Sequence, residues 1–183
     1  MPGKPVRRGL ELVAVGGAGA GLLGWLGREL DRRLGTRSFR GPPLPLREAW
    51  LDPGTGQYRS ADVVDALVDR AGALGAPRLW SLGITGVDLG APERTFVFGE
   101  ATVGGCCAVV SLARLDPGEG PRSSRLRTRV LSEALHELGH VAGLGHCSDP
   151  RCVMHPCRMP EEVDRRGPHF CKPCAGALPE HPA

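Results

Sequence analysis

A chain of 183 residues with 41% apolar content can bury one core and is short enough for a single globular unit. Lys and Arg exceed Asp and Glu by only three, 23 against 20, which excludes the strongly basic surface that nucleic acid or an anionic membrane requires. Seven cysteines, five of them between residues 147 and 174, argue against a secreted disulfide framework and for metal binding in a reducing compartment, with the cytoplasm as the default.

The first stretch, MPGKPVRRGLELVAVGGAGAGLLGWLG, has the positive start and apolar run of a signal peptide, and Ala18 and Ala20 give it a small-residue cleavage pattern. Glu11 interrupts the run, however, and the segment continues into an amphipathic pattern. The expectation is a strand over about Leu10–Val15, a Gly turn, and a helix over about Leu22–Leu34 with Leu22, Leu23, Leu26, Leu30 and Leu34 on one face. Gly19, Gly21 and Gly24 have G-x-G-x-x-G spacing, but no second strand ending in an acid follows at the distance a dinucleotide site needs. A tight turn with close helix packing is the simpler reading.

Residues 40–57 are rich in Pro and Gly and predict an extended loop. Ser60 is placed to cap a helix over about Ala61–Ala73, with Ala61, Val64, Leu67 and Val68 inward and Asp62 near its positive end. Leu79–Ile84 reads as a buried strand, followed by a turn holding Asp88. FVFGEA at Phe96–Ala101 reads as a strand end or bulge, and Cys106–Leu115 as another strand. Cys106 and Cys107, adjacent in that strand, are expected on opposite faces as core thiols. Ser123 or Ser124 can cap a long helix reaching about Gly143, with Leu126, Val130, Ala134, Leu138 and Val141 as its buried stripe. Strands and helices in this order predict an α/β (α+β) fold with a mixed sheet covered by helices.

That helix carries LHELGHVAGLGHC from Leu135 to Cys147. By the helical period His136 and His140 lie about 40° apart and can reach one ion together. Zinc hydrolysis needs neutral imidazoles, an open coordination position and a base beside the water the ion polarises. In H-E-x-x-H, Glu137 cannot easily ligate the same ion but can serve as that base. Gly143 can end the helix in positive φ and turn His146 back as third ligand, and the full H-E-x-x-H-x-x-G-x-x-H array is far more specific than its first half. Glu161 or Glu162 would be a rival third ligand, but no helical pattern surrounds them and His146 makes them unnecessary.

Directly after His146 comes Cys147, then Cys152, and Cys171 and Cys174 form a C-x-x-C pair. Four thiolates make a closed tetrahedral zinc site with no open position, so it contributes folding energy rather than catalysis. The adjacency of His146 and Cys147 forces the two ions close together, and the second ion can brace the loop carrying the third histidine. Cys157 reads as a free thiol, although it could replace a neighbouring ligand; His155 and His169 read as solvated or supporting residues.

HELGHVAGLGHC followed by Cys152, Met154, Cys171 and Cys174 resembles the signature of the archaemetzincins, H-E-x-x-H-x-x-G-x-x-H-C-x₄-C-x-M with a later C-x-x-C. GQYRS, GVDL, FVFGEA and VVSLARL also resemble segments of that family, so the likeness runs from about Gln57 to Cys174. It implies that Met154 belongs to the tight Met-turn beneath the catalytic zinc. It further implies a metzincin-like fold: a twisted mixed sheet, a backing helix, a long active-site helix and a small zinc-stabilised C-terminal subdomain across a cleft. On that expectation the chain is one peptidase domain over 1–183, with subdomains 1–143 and 144–183. CAVVSLARL is the candidate edge strand for pairing with extended peptide.

The expected function is zinc-dependent hydrolysis of peptide bonds, with two Zn²⁺, one catalytic on His136, His140 and His146 and one structural on Cys147, Cys152, Cys171 and Cys174. Glu137 is the catalytic base. The expected partners are peptide or protein substrates, with no nucleic acid, no membrane and a monomeric state. The alternative is a non-catalytic zinc-stabilised module that captures peptides. A base at Glu137 argues against that, since a purely structural site has no use for one. A zinc-ribbon-like nucleic-acid binder is disfavoured because the cysteine segment holds one aromatic, Phe170, and few basic residues not offset by acids.

Overall fold

A computed structural model describes residues 8–179 except 18, 74, 76–78 and 121. The elements run β1 (Gly9–Val15), α1 (Ala20–Leu34), β2 (Arg37–Arg40), β3 (Leu51–Asp52), β4 (Gln57–Arg59), α2 (Ser60–Ala73), β5 (Trp80–Thr85), β6 (Leu89–Gly90), β7 (Gly99–Ala101), β8 (Cys107–Ser111), α3 (Ser124–Val141), α4 (Pro160–Arg166) and α5 (Lys172–Ala177). A single 3₁₀ turn, Glu48–Trp50, precedes β3.

The main sheet has the order β2-β1-β5-β8-β7, with every pairing parallel except β7 against β8. A small sheet, β3-β4-β6, takes β3 and the first residue of β4 from the Pro/Gly-rich region where only loop was expected and β6 from Leu89–Gly90. The alternation of β1 and β5 divides the interior into two layers. Leu10, Leu12, Leu82 and Ile84 face α1 and α3, while Val13, Val15 and Val109 face Val63, Val64 and Leu67 of α2. Glu11 is buried on the α2 side, where Arg70 and Ser81 bond its carboxylate.

The N-terminal expectation of strand, turn and helix holds for the described residues, and all five leucines of the α1 stripe are buried. The signal-peptide reading falls partly on residues 1–7 and 18, outside those described. The turn before α1 closes with Leu22 N–H donating to Gly19 O at 2.7 Å. Ser60 is the first residue of α2 rather than its cap: its hydroxyl donates to Gly90 O at 2.9 Å and to Glu100, tying α2 to the main and small sheets. The buried apolar residues of α2 are Val63, Val64, Leu67 and Ala71, whereas Ala61 is exposed and Val68 half-buried, because at about 100° per residue the packed stripe centres on the 63, 67 and 71 row and leaves 61 and 68 at its margin.

Three further expectations need correction. The strand from Cys107 is not an edge: β8 lies between β5 and β7, buried at every residue, and its five continuous apolar or small residues fit a central strand. The edge on that side is β7, whose three residues fold back antiparallel through the turn at 102–106, and β2 is the opposite edge. Cys106 precedes β8, so the strand alternation does not apply to it, and its Sγ lies 3.0 Å from that of Cys107. A helix does form at Glu161 and Glu162. It is α4, with Pro160 at its start and the Glu162 carboxylate accepting from the Arg158 and Met159 N–H groups.

Helix α3 follows the sequence reading closely. Ser123 caps it by accepting from Leu126 N–H, and Leu126, Val130, Ala134, Leu138 and Val141 are all buried, at about 1.5–3 kcal/mol for each large side chain. Its other flank bears the site.

Candidate metal centre

Helix α3 brings His136 and His140 to one face, and the chain leaves the helix at Gly143, whose φ of 94° only glycine adopts without strain. Leu144 N–H donates back to Gly139 O at 2.9 Å, and the turn carries His146 over the other two rings. The ring centroids are 4.6, 4.9 and 5.4 Å apart. The donor atoms of all three histidines lie within 4.8 Å of one another.

Two carbonyls fix which nitrogens face inward. His136 Nδ1 lies 2.7 Å from Val153 O, and His140 Nδ1 lies 2.8 Å from Leu144 O, so each Nδ1 carries the proton and each Nε2 is free to ligate. The two Nε2 atoms are 3.1 Å apart, where tetrahedral zinc with Zn–N near 2.05 Å asks for about 3.3 Å. Burial first, and then the nearby Arg166 cation, push His136 down to about 3, so its ring is neutral, as a ligand must be. His146 is likewise lowered, by burial and by His140. The donor set fits zinc.

Glu137 projects from α3 beside these rings and is buried, with no hydrogen-bond partner among the described residues. A side chain at Gly99 on β7 would strike its Cγ at 2.8 Å, so the edge strand lies directly against it. Burial pushes Glu137 well above the ordinary carboxylate range, the negative charges of Glu133 and Glu100 add to that, and Arg166 opposes it. Such a carboxyl is suited to taking up and holding a proton. The histidines and Glu137 open into a cleft of about 670 Å³. One wall is the stretch 91–101 leading into β7, and the other is Pro156, Cys157 and Arg158.

Behind the histidines, Met154 is fully buried beneath α3. A Cβ on Gly139 would meet Met154 Sδ at 2.4 Å, so the bare backbone there is what lets the methionine lie under the helix. Cys147 N–H donates to Met154 O at 3.0 Å, and His155 Nδ1 lies 2.9 Å from Cys147 O, so the turn is bonded to the residue that follows His146.

Cys147, Cys152, Cys171 and Cys174 form the second group, again with donor atoms within 4.8 Å. Cys147 Sγ and Cys171 Sγ are 3.8 Å apart, matching the roughly 3.8 Å that Zn–S bonds near 2.3 Å require of a tetrahedron. Burial pushes the Cys152 thiol up, and the Cys171 and Met154 N–H groups, both pointing at its Sγ at 3.4 Å, oppose that by favouring thiolate. All seven cysteines are free. Cys157 stays outside the cluster, its thiol pushed up to about 11 by burial and thus unreactive. His155 supports the turn as described, and His169 is exposed, contributing its carbonyl to Val153 N–H at 2.7 Å. Glu162 is occupied at the start of α4 and Glu161 is exposed, so neither joins the histidines.

The sequence reading did not single out Gly99, Glu133, Gly139 or Arg166. Glu133 had a signal, since it lies one helical turn before Glu137. Arg166 had none, because only the return of α4 brings it to the site.

The model of peptidase family M54 matches residues 52–180. The chain is 46% identical to archaemetzincin of Archaeoglobus fulgidus, over 54% of this chain and 59% of that protein. It is 43% identical to archaemetzincin of Methanopyrus kandleri, over 67% and 66% respectively. In sequence, therefore, the chain spans about three fifths to two thirds of the length of these relatives. Among solved structures, archaemetzincin of Methanopyrus kandleri superposes with a TM-score of 0.83 at 34% identity, covering 97% of both chains. A zinc-dependent peptidase from Methanocorpusculum labreanum superposes with a TM-score of 0.81 at 28% identity, covering 93% of this chain and all of that one.

Proposed function

The chain belongs to peptidase family M54, and from that premise we propose that it is a zinc-dependent metallopeptidase acting on peptides or proteins. The observation that carries this reading is the convergence of three histidines and one buried, unpartnered glutamate on a single cleft. His136, His140 and His146 would hold the catalytic zinc, and Cys147, Cys152, Cys171 and Cys174 a structural one. Zinc at the histidines would supply a Lewis acid to polarise the scissile carbonyl and activate water.

The protein's own groups do the rest. Glu137 accepts the proton of the attacking water and returns it to the leaving amine nitrogen, a role suited to a carboxyl whose affinity for protons is raised. The outer edge of β7 offers backbone N–H and C=O groups to an extended peptide, which aligns it along the cleft without reading much of its sequence. Val153 O and Leu144 O hold the rings of His136 and His140 in the ligating tautomer. We read residues 144–183 as a small subdomain closing the far side of the cleft. Free cysteines fit a reducing compartment such as the cytoplasm, and no helix among the described residues is long and apolar enough to cross a membrane.

The test is Glu137→Ala. It is expected to retain zinc at both sites by elemental analysis and to lose about 10²–10⁴-fold in peptide hydrolysis. A peptide-library digest with unchanged cleavage by that variant, purified free of other proteases, refutes the assignment.

A further inference from the structure

Beside the histidines lies an ion pair that neither ligates the metal nor carries a proton in the reaction described above. Glu133 on α3 and Arg166 at the end of α4 leave 4% and 1% of their side chains exposed, and both line the cleft. Arg166 Nη2 donates to Glu133 Oε1 at 2.5 Å and to Ser132 Oγ at 3.2 Å. Its Nη1 donates to His155 O at 2.6 Å and lies 3.2 Å from His136 Nδ1. That ring nitrogen already gives its proton to Val153 O, so the guanidinium packs against the ring edge while its hydrogen bonds go to either side of it.

Stability does not explain the pair. Buried ion pairs are often no better than apolar residues of the same volume, and the Arg166 Nε is buried without a partner, which adds a cost. What two apolar side chains could not do is bond α3 at Ser132 and Glu133 and, at the same time, the backbone of His155. Val153, whose carbonyl orients His136, is two residues before that anchor, and Met154 lies between them. The guanidinium therefore clamps the turn to the helix at the point where the turn sets the angle of a ligand.

We propose that Arg166 and Glu133 are positioning residues, which lock the 153–155 turn against α3 and so hold the His136 ring at the angle that presents Nε2 to the metal. This rests on the reading of His136, His140 and His146 as a zinc site. Removing the clamp leaves all three ligands in place but lets one of them swing.

The experiment compares wild type, the apolar double variant Glu133→Met with Arg166→Met, and Arg166→Lys. Cobalt(II) is titrated as probe into protein whose cysteine site is filled with zinc, and thermal unfolding and peptide hydrolysis are followed in parallel. The double variant is expected to unfold at or above the wild-type temperature, to bind cobalt at the histidines about 10–100-fold more weakly with an altered visible spectrum, and to lose kcat more than it raises KM. Arg166→Lys keeps the charge but not the fork of donors, and an intermediate loss is expected of it. A folded double variant with wild-type cobalt affinity and spectrum overturns the proposal. Should the double variant not fold, Arg166→Lys decides, and wild-type affinity in it overturns the proposal equally. Wild-type protein that binds cobalt at the histidines yet cleaves no peptide would remove the peptidase reading and leave the positioning role standing. No cobalt binding at the histidines of the wild type would remove both.

Discussion

Gly139 lies between His136 and His140 on the helix, at a place where most residues would serve the helix better. Its use lies in what it leaves out, since the space its Cβ would take is filled by Met154 Sδ. Gly139→Ala should therefore move the methionine or the helix, at a cost of about 1–3 kcal/mol that outweighs the roughly 1 kcal/mol of helix propensity gained. Chemical denaturation is the measurement, and a variant as stable as wild type would show that Met154 can yield. The histidines, the cysteines and Glu137 announce themselves by spacing, because metal ligation restricts both residue type and separation. Gly139 and Arg166 do not, because a close contact and a clamp are defined by what arrives from elsewhere in the chain.

Elements with a strong period were legible: α1 and α3 fall within two residues of their expected bounds at most ends, and their buried stripes are the ones their sequences show. Short elements were not. The strands β3, β4, β6 and β7 have two or three residues each, too few to establish alternation, and their pairing partners decide them. The same holds for α4, seven residues long, whose position depends on side-chain anchoring. Asp164 on α4 accepts from both Arg129 and Arg125 of α3, and these bonds hold its carboxyl below the ordinary value of 3.8. A carboxyl depressed in the folded state stabilises while ionised, and that contribution is lost as pH falls below about 4 toward the folded value. Asp164→Asn should cost about 1–2 kcal/mol at pH 7, and the gap between variant and wild type should close in acid. Unfolding curves at pH 7 and near pH 3 check this, and a gap that does not narrow would contradict it.

Across the whole molecule, the two ligand clusters are mechanically joined. Cys147 follows His146, its N–H reaches Met154 O, and Met154 N–H points to Cys152 Sγ, so the cysteine cluster and the turn beneath the histidines share one hydrogen-bonded loop. Cys171→Ser with Cys174→Ser should accordingly cost more than one ion. The expected result is loss of one zinc per chain, faster amide exchange through 147–155, and weaker retention of the second zinc against a chelator. Intact loop protection and unchanged retention of the histidine-bound ion would mean that the two clusters are independent.

Sequence alone determined the two groups of candidate ligands, the long helices α1 and α3 and the family resemblance, because ligand spacing and helical periodicity are local and survive in a linear string. It could not determine the edge of the sheet, the resting place of α4 or the partners of Glu133. Those depend on which segments meet after long excursions of the chain, and residues 133 and 166 come together only when the core beneath α3 has closed. For the same reason CAVVSLARL read as an edge strand by resemblance, while the burial of its first five residues between β5 and β7 was decided by those strands.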